Sequence, residues 1–230
     1  MPRLSDEQQA ERRTRLLDAA ERCFARAGFH ATTMHDIARE ARVSAGAAYT
    51  YFASKEGLIA GIADRDRRQI AHDFGAVAEA EDFIAALEAC ARFYLIEQPA
   101  HKRTLMVELA AESTRNAAVA RACQDVDKVV QDAFTHAIER QVAAGRLQPR
   151  HELRTIVSLL MVIGDGLFQR RATDPRFDPE RALPVIMALM REMVGAKPAG
   201  RAPAGARAKT AAARMTAPAR SAAKAEGKSR

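Results

Sequence analysis

The residues best placed to do chemistry lie between Thr32 and Leu58, in the run TTMHDIAREARVSAGAAYTYFASKEGL. Ser44 is followed by Ala45, Gly46, Ala47 and Ala48, and then by Tyr49, Thr50, Tyr51 and Lys55, which add hydroxyls and a cation. The spacing predicts a helix capped by Ser44, with free backbone N–H groups that favour an anion and small residues that let the backbone press against a bulky partner. Duplex DNA is such a partner. It offers phosphates to N–H groups, hydroxyls and the ammonium, and thymine methyls to the alanine methyls. With few long polar side chains available, recognition leans on apolar contact and DNA shape.

The preceding residues supply the element that must position this helix. Thr32 or Thr33 caps a short helix with Asp36 in its first turn and Ile37, Ala38 and Ala41 on one face. Arg42-Val43 then makes a tight turn. Two helices joined this way form a helix-turn-helix, whose second helix enters the major groove.

Val43-Ser44-Ala45-Gly46-Ala47-Ala48-Tyr49, followed by Tyr51-Phe52-Ala53-Ser54-Lys55-Glu56-Gly57-Leu58, resembles the DNA-binding domain of the TetR family of bacterial transcriptional regulators. Upstream, Leu16-Leu17-Asp18-Ala19-Ala20, Phe24, Gly28, Phe29, Ala31-Thr32-Thr33, Ile37 and Ala38 match that family's first two helices in order and spacing. The resemblance implies that Tyr49 and Lys55 grip phosphates. Thr33 and Ser44 offer hydroxyls and N–H groups to the same backbone, and Ala45, Gly46, Ala47, Thr50 and Tyr51, with His35, are left for the groove. Two positions depart from the pattern. Arg42 stands where the family commonly has Gly and is expected at positive φ, and Ala48 stands where relatives often carry a larger aliphatic residue.

Composition points to a helical, cytoplasmic protein. Ala, Leu, Arg and Glu favour helix, no run of about 18 apolar residues suggests a membrane span, and Met1-Pro2-Arg3-Leu4-Ser5-Asp6-Glu7 has no signal-peptide core. Cys23, Cys90 and Cys123 are odd in number and far apart, which argues against disulfides and zinc. There is no Gly-rich phosphate loop, no Gly-x-Ser-x-Gly and no His-x-x-x-His, so neither an enzyme, a cofactor nor a metal is expected. The net charge of +7 is misleading, because nine basic residues and one acid lie between Ala196 and Arg230. Everything before them is nearly neutral.

The expected fold is all-α. It comprises an N-terminal three-helix helix-turn-helix DNA-binding domain over residues 1–53, a helical ligand-binding and dimerisation domain over 54–195, and a disordered basic tail over 196–230. The tail lacks aromatic and branched aliphatic residues and suits either loose phosphate contact or a solubilising role with no partner. Helices are expected over Ser5 to Ala27, opened by a Ser5-x-x-Gln8 capping box, and over Ser54 to about Phe74, Asp82 to Glu97, Ala100 to about Ser113, Asn116 to Ala144, Glu152 to Arg171 and Asp178 to Val194. Pro184 should kink the last or mark its true start.

The last two helices are apolar on more than one face, and the family resemblance implies that they form a four-helix interface with a second copy, the alternative being intramolecular packing alone. Ile156, Leu160, Ile163 and Leu167 would supply one half, and Ile186, Leu189, Met190 and Met193 the other. Cys90, Phe93, Tyr94, Met106 and Phe134, together with His136, Ala137, Met161 and Asp165, sit on helices that wall a ligand cavity in relatives. Tyr94, Glu108, His136 and Asp165 are polar groups among apolar neighbours and need partners, either a ligand or other side chains. The leading reading is a dimeric repressor on an inverted-repeat operator, released by a small-molecule effector. The alternative is an effector-independent or architectural DNA binder dominated by the tail.

Overall fold

The computed structural model describes residues 5–196; the tail expected to be disordered lies outside the described residues from Lys197 onward. Among the described residues there are α-helices and one π-turn and no strand: α1 (Asp6–Ala31), α2 (Met34–Glu40), α3 (Ala45–Tyr51), α4 (Lys55–Glu79), α5 (Phe83–Arg92), the π-turn (Phe93–Glu97), α6 (Ala100–Ser113), α7 (Ala117–Ala143), α8 (Leu153–Thr173) and α9 (Pro179–Met193). No helix is long and apolar enough to cross a membrane. Two compact units result. The first holds residues 5–69, 98–130 and 164–177, and the second 70–97, 131–163 and 178–196.

In the first unit, Ser5 and Gln8 close the expected capping box on α1, and Leu16, Leu17, Ala20, Cys23 and Phe24 form its buried stripe. Helical geometry breaks at Gly28 (φ 79°, ψ 166°), one residue past the expected end. Only glycine adopts that conformation readily. The break turns Phe29 back into the core, where its ring lies 5.5 Å from that of Phe24. Thr33, not Thr32, caps α2; the Thr32 hydroxyl is buried and donates to the carbonyls of Gly28 and Cys23. Ala48 and Phe52 seat α3, and Leu58, Ile59 and Ile62 carry α4 across the same core. At Gly61 a Cβ would stand 2.9 Å from both Leu17 and Phe52. A side chain there would have to push both aside.

In the second unit, Phe74 and Phe134 meet edge to face at 4.7 Å, and Leu87, Cys90, Ile138, Ile156, Leu183 and Met187 are buried. The Gln141 amide donates to the carbonyls of Ala78 and Ala80 at 2.9 and 3.0 Å, and its oxygen accepts from Arg146 at 2.6 Å. α4 continues past the expected Phe74 to Glu79 because Val77 and Ala78 extend its buried stripe. The helix expected over Asp82 to Glu97 is capped by Asp82 but widens into the π-turn at Phe93. α9 begins at Pro179 under an Asp178 cap and passes through Pro184, which sits on an exposed face. Pro184 does not mark the helix start.

Candidate nucleic-acid interface

Two caps set the geometry of the helix-turn-helix. The Thr33 hydroxyl accepts from the Asp36 N–H at 3.1 Å, and the Asp36 carboxylate accepts from the Thr33 N–H at 3.1 Å and its hydroxyl at 2.6 Å. The Thr33 hydroxyl and N–H, with Arg39 beside them, hold the Asp36 carboxyl below its ordinary value. Ser44 caps α3 by accepting from the Ala47 N–H at 3.2 Å. Between the caps the chain turns at Arg42, whose φ is 56°, as its place in the glycine position of the pattern predicts.

With Ala48 buried, the opposite side of α3 is left outward. Ser44, Gly46, Tyr49 and Thr50 are exposed, Ala45 and Ala47 are half-buried, and His35 is exposed on α2. A Cβ at Gly46 would meet nothing within 4 Å. The Thr50 hydroxyl donates to the Gly46 carbonyl at 3.0 Å but stays at the surface. The result is a small, nearly uncharged ridge that can enter a groove without moving a long side chain.

Two of the expected contact residues also have partners within the chain. Tyr51 is half-buried and packs against the core of the first unit. The Lys55 ammonium donates to the Phe29 carbonyl at 2.5 Å and lies 4.4 Å from the centre of the Phe29 ring. These contacts, to a carbonyl and a ring face, help hold the turn after Gly28.

A profile described as "Bacterial regulatory proteins, tetR family" matches residues 16–62, the segment that forms this ridge and its support. A second, "BetI-type transcriptional repressor, C-terminal", matches residues 83–195. The chain belongs to the TetR family. The HTH-type transcriptional repressor Rv1474c of Mycobacterium tuberculosis is 28% identical over 191 residues, spanning 81% of this chain and 95% of that protein. Among solved structures, Salmonella enterica GusR superposes with a TM-score of 0.70 at 23% identity, covering 84% of this chain and all of that one. SmeT, the repressor of the Stenotrophomonas maltophilia multidrug efflux pump SmeDEF, does so at 0.67 and 20% identity, over 84% and 94% of the two chains. As a TetR-family member the chain is a DNA-binding transcriptional regulator.

Behind the ridge, α6 of this TetR-family chain grips α1. The Glu108 carboxylate accepts the Phe29 N–H at 2.7 Å, and Glu112, buried, takes His30 at 2.9 Å and Arg115 at 2.7 Å. Farther along, Glu21 of α1 is buried against Arg65 of α4 and Lys102 of α6, with Lys102 at 3.1 Å. Burial pushes the Glu21 carboxyl up. His101, Lys102 and Arg65 more than reverse this and leave it below its ordinary value. Asp66, next to the same lysine, is pushed up by burial. Of these residues only Glu108 stands out in the sequence as a polar group needing a partner; Glu21 answers to Arg65 and Lys102, 44 and 81 positions away, and Glu112 to His30, 82 away.

The residues expected to wall a cavity divide between the two units. Cys90, Phe93, Tyr94, Phe134, Ala137 and Met161 belong to the second, where Tyr94 donates to the buried Asp73 at 2.7 Å. Burial, reinforced by the Asp73 charge, pushes the Cys90 thiol up to about 12, so it stays protonated. Met106 and Asp165 belong to the first unit, and these two and His136 are exposed. His136 lies at the surface, while partial burial of Asp165 still pushes its carboxyl up. Of the expected interface residues, Ile156, Leu160 and Met190 are buried within the chain, Ile163, Leu167, Ile186 and Met193 are half-buried, and Leu189 is exposed. Leu159, Val162 and Val185 are also exposed.

Proposed function

We propose that the protein is a cytoplasmic, dimeric repressor that reads an inverted-repeat operator through α3 and is released by a small-molecule effector. The observation that carries the reading is the outward ridge of Ser44, Ala45, Gly46, Ala47, Tyr49 and Thr50, capped and backed by a packed core. Residues 1–53 read DNA, and the helices from 54 to 195 serve sensing and pairing. A single ridge reaches only a few base pairs, so a two-fold pair on half-sites a helical turn or a multiple apart gives the specificity that a genome demands. Selecting duplexes from a random pool and footprinting the winners tests this; recovery of no inverted repeat overturns it.

Pairing is supported by Leu159 and Val162 on α8 and Val185 and Leu189 on α9, apolar side chains that one chain leaves in water. Leu189→Glu should give a folded monomer by light scattering, together with loss of most operator affinity. Charge at Leu160 would instead unfold the chain, since that side chain is core. An effector acts only through differential affinity for two states, and a coupling of about 1–3 kcal/mol corresponds to roughly 5–150-fold weaker operator binding. The α6 grip on α1 supplies a mechanical route, because movement of Glu108 or Glu112 pulls on the turn between α1 and α2.

A further inference from the structure

Among the described residues Arg42 is the one non-glycine with positive φ. The turn demands it: the Arg42 N–H closes on the Arg39 carbonyl at 3.1 Å and the Val43 N–H on the Ala38 carbonyl at 3.0 Å, after which the chain must reverse to bring Ser44 to its cap. Glycine meets that demand freely. Arginine meets it with its Cβ crowded against the backbone.

The fold shows no return for the crowding. Arg22 and Arg26 both bind Glu40, and Arg39 binds Asp36 at 2.6 Å. Those pairs occupy the two acids closest to Arg42 in sequence. Arg42 itself is exposed, and its guanidinium has no ion pair, hydrogen bond or ring contact among the described residues. A cation just past the end of α2 gains something from the helix dipole, but that gain is screened in solvent. Strain retained at one position of a recognition motif, by a side chain with no partner in the free protein, points to a partner outside it.

We propose that Arg42 is a DNA-backbone anchor: its guanidinium takes a phosphate flanking the bases under α3, once per protomer. The planar fork suits two phosphate oxygens and carries no preference among bases. The inference rests on the DNA-binding reading above and adds to it a contact at the position where the family pattern has glycine.

The test uses the full chain and a duplex selected from a random pool by the wild type, titrated between about 50 and 200 mM salt. Arg42→Gly and Arg42→Gln should each bind about tenfold more weakly, with the salt slope reduced by about 0.9 per protomer and the preferred sequence unchanged. Arg42→Lys should keep most of the slope. Arg42→Gly should also melt about 2–4 °C higher than wild type, whereas Arg42→Gln should not. Glycine and glutamine variants with wild-type affinity and slope overturn the proposal, as does a change in preferred sequence, which would move Arg42 to a base edge. A glycine variant that melts lower overturns the strain argument in favour of the helix dipole. If the wild type selects no duplex at all, the DNA-binding reading fails and this contact falls with it.

Discussion

The outward face of α3 and the seam between α1 and α6 belong to the same unit and are built on opposite principles. The face is almost bare: methyl groups, one glycine and three hydroxyls, with no acid and no paired base. The seam is crowded with charge, where Glu21, Glu108 and Glu112 meet Arg65, Lys102, Arg115 and the Phe29 N–H. A surface that must fit many grooves closely tolerates little side chain, whereas a joint that must hold one arrangement gains from directional, desolvated bonds. Substitutions in the two places should therefore fail differently: in the seam through stability, and on the face through binding.

The largest effect should come from Glu21→Ala. It leaves Arg65 and Lys102 facing a buried gap with only Asp18 and Asp66 to answer them, and removing one member of a buried pair costs about 3–5 kcal/mol. The lower half of that range applies because Arg65 and Lys102 retain some exposure. Urea denaturation measures it. A loss below about 1 kcal/mol would show that the seam's charges are interchangeable with surface pairs, and the contrast would collapse.

Glu108→Ala should cost about 1–3 kcal/mol by orphaning the Phe29 N–H, and Glu108→Gln should restore most of it, since an amide oxygen still accepts. The same seam sets the acid limit. Glu21 and Glu112 both lie below their ordinary values, Glu112 because Asn116, Arg115 and His30 outweigh its burial. A depressed carboxyl contributes stability that is complete above its unfolded value, near 4.5 here, and is lost as pH falls through the folded value. Melting temperature should thus hold from neutral pH to about pH 5 and drop below it, with a shallower drop in Glu112→Gln. An equally steep drop in that variant would place the acid response elsewhere.

Ser5 and Ser44 were readable as caps, and the cap of α2 as Thr32 or Thr33, because each signal acts within a few residues. The seam was not readable. Glu108 and Phe29 stand 79 residues apart, and helical periodicity tells which face is buried without telling which helix covers it. Lys55 shows the same limit at short range: its place in the pattern suggested phosphate, and nothing in that pattern showed the Phe29 carbonyl it also meets, just past the break at Gly28. Lys55→Met should therefore lower stability by about 1 kcal/mol even without DNA. Unchanged stability with weaker binding would assign Lys55 to the face alone and blur the comparison.

Gly46→Ala should have the smallest effect on the fold and is the sharpest probe of the face. Gly46 lies inside α3, where glycine is about 0.5–1 kcal/mol worse than alanine. Its φ is not in the positive range, and an added Cβ would touch nothing, so the fold gives no reason to keep it. Alanine should raise stability by about that amount. If Gly46 is bare because backbone and DNA approach closely there, the same methyl should weaken operator binding while leaving the dimer intact. Opposite signs for folding and binding would separate a surface shaped by its partner from one shaped by its own helix. A variant that is more stable and binds as well as wild type would reduce the ridge around Gly46 to ordinary helix, leaving Ser44, Tyr49 and Thr50 to carry recognition.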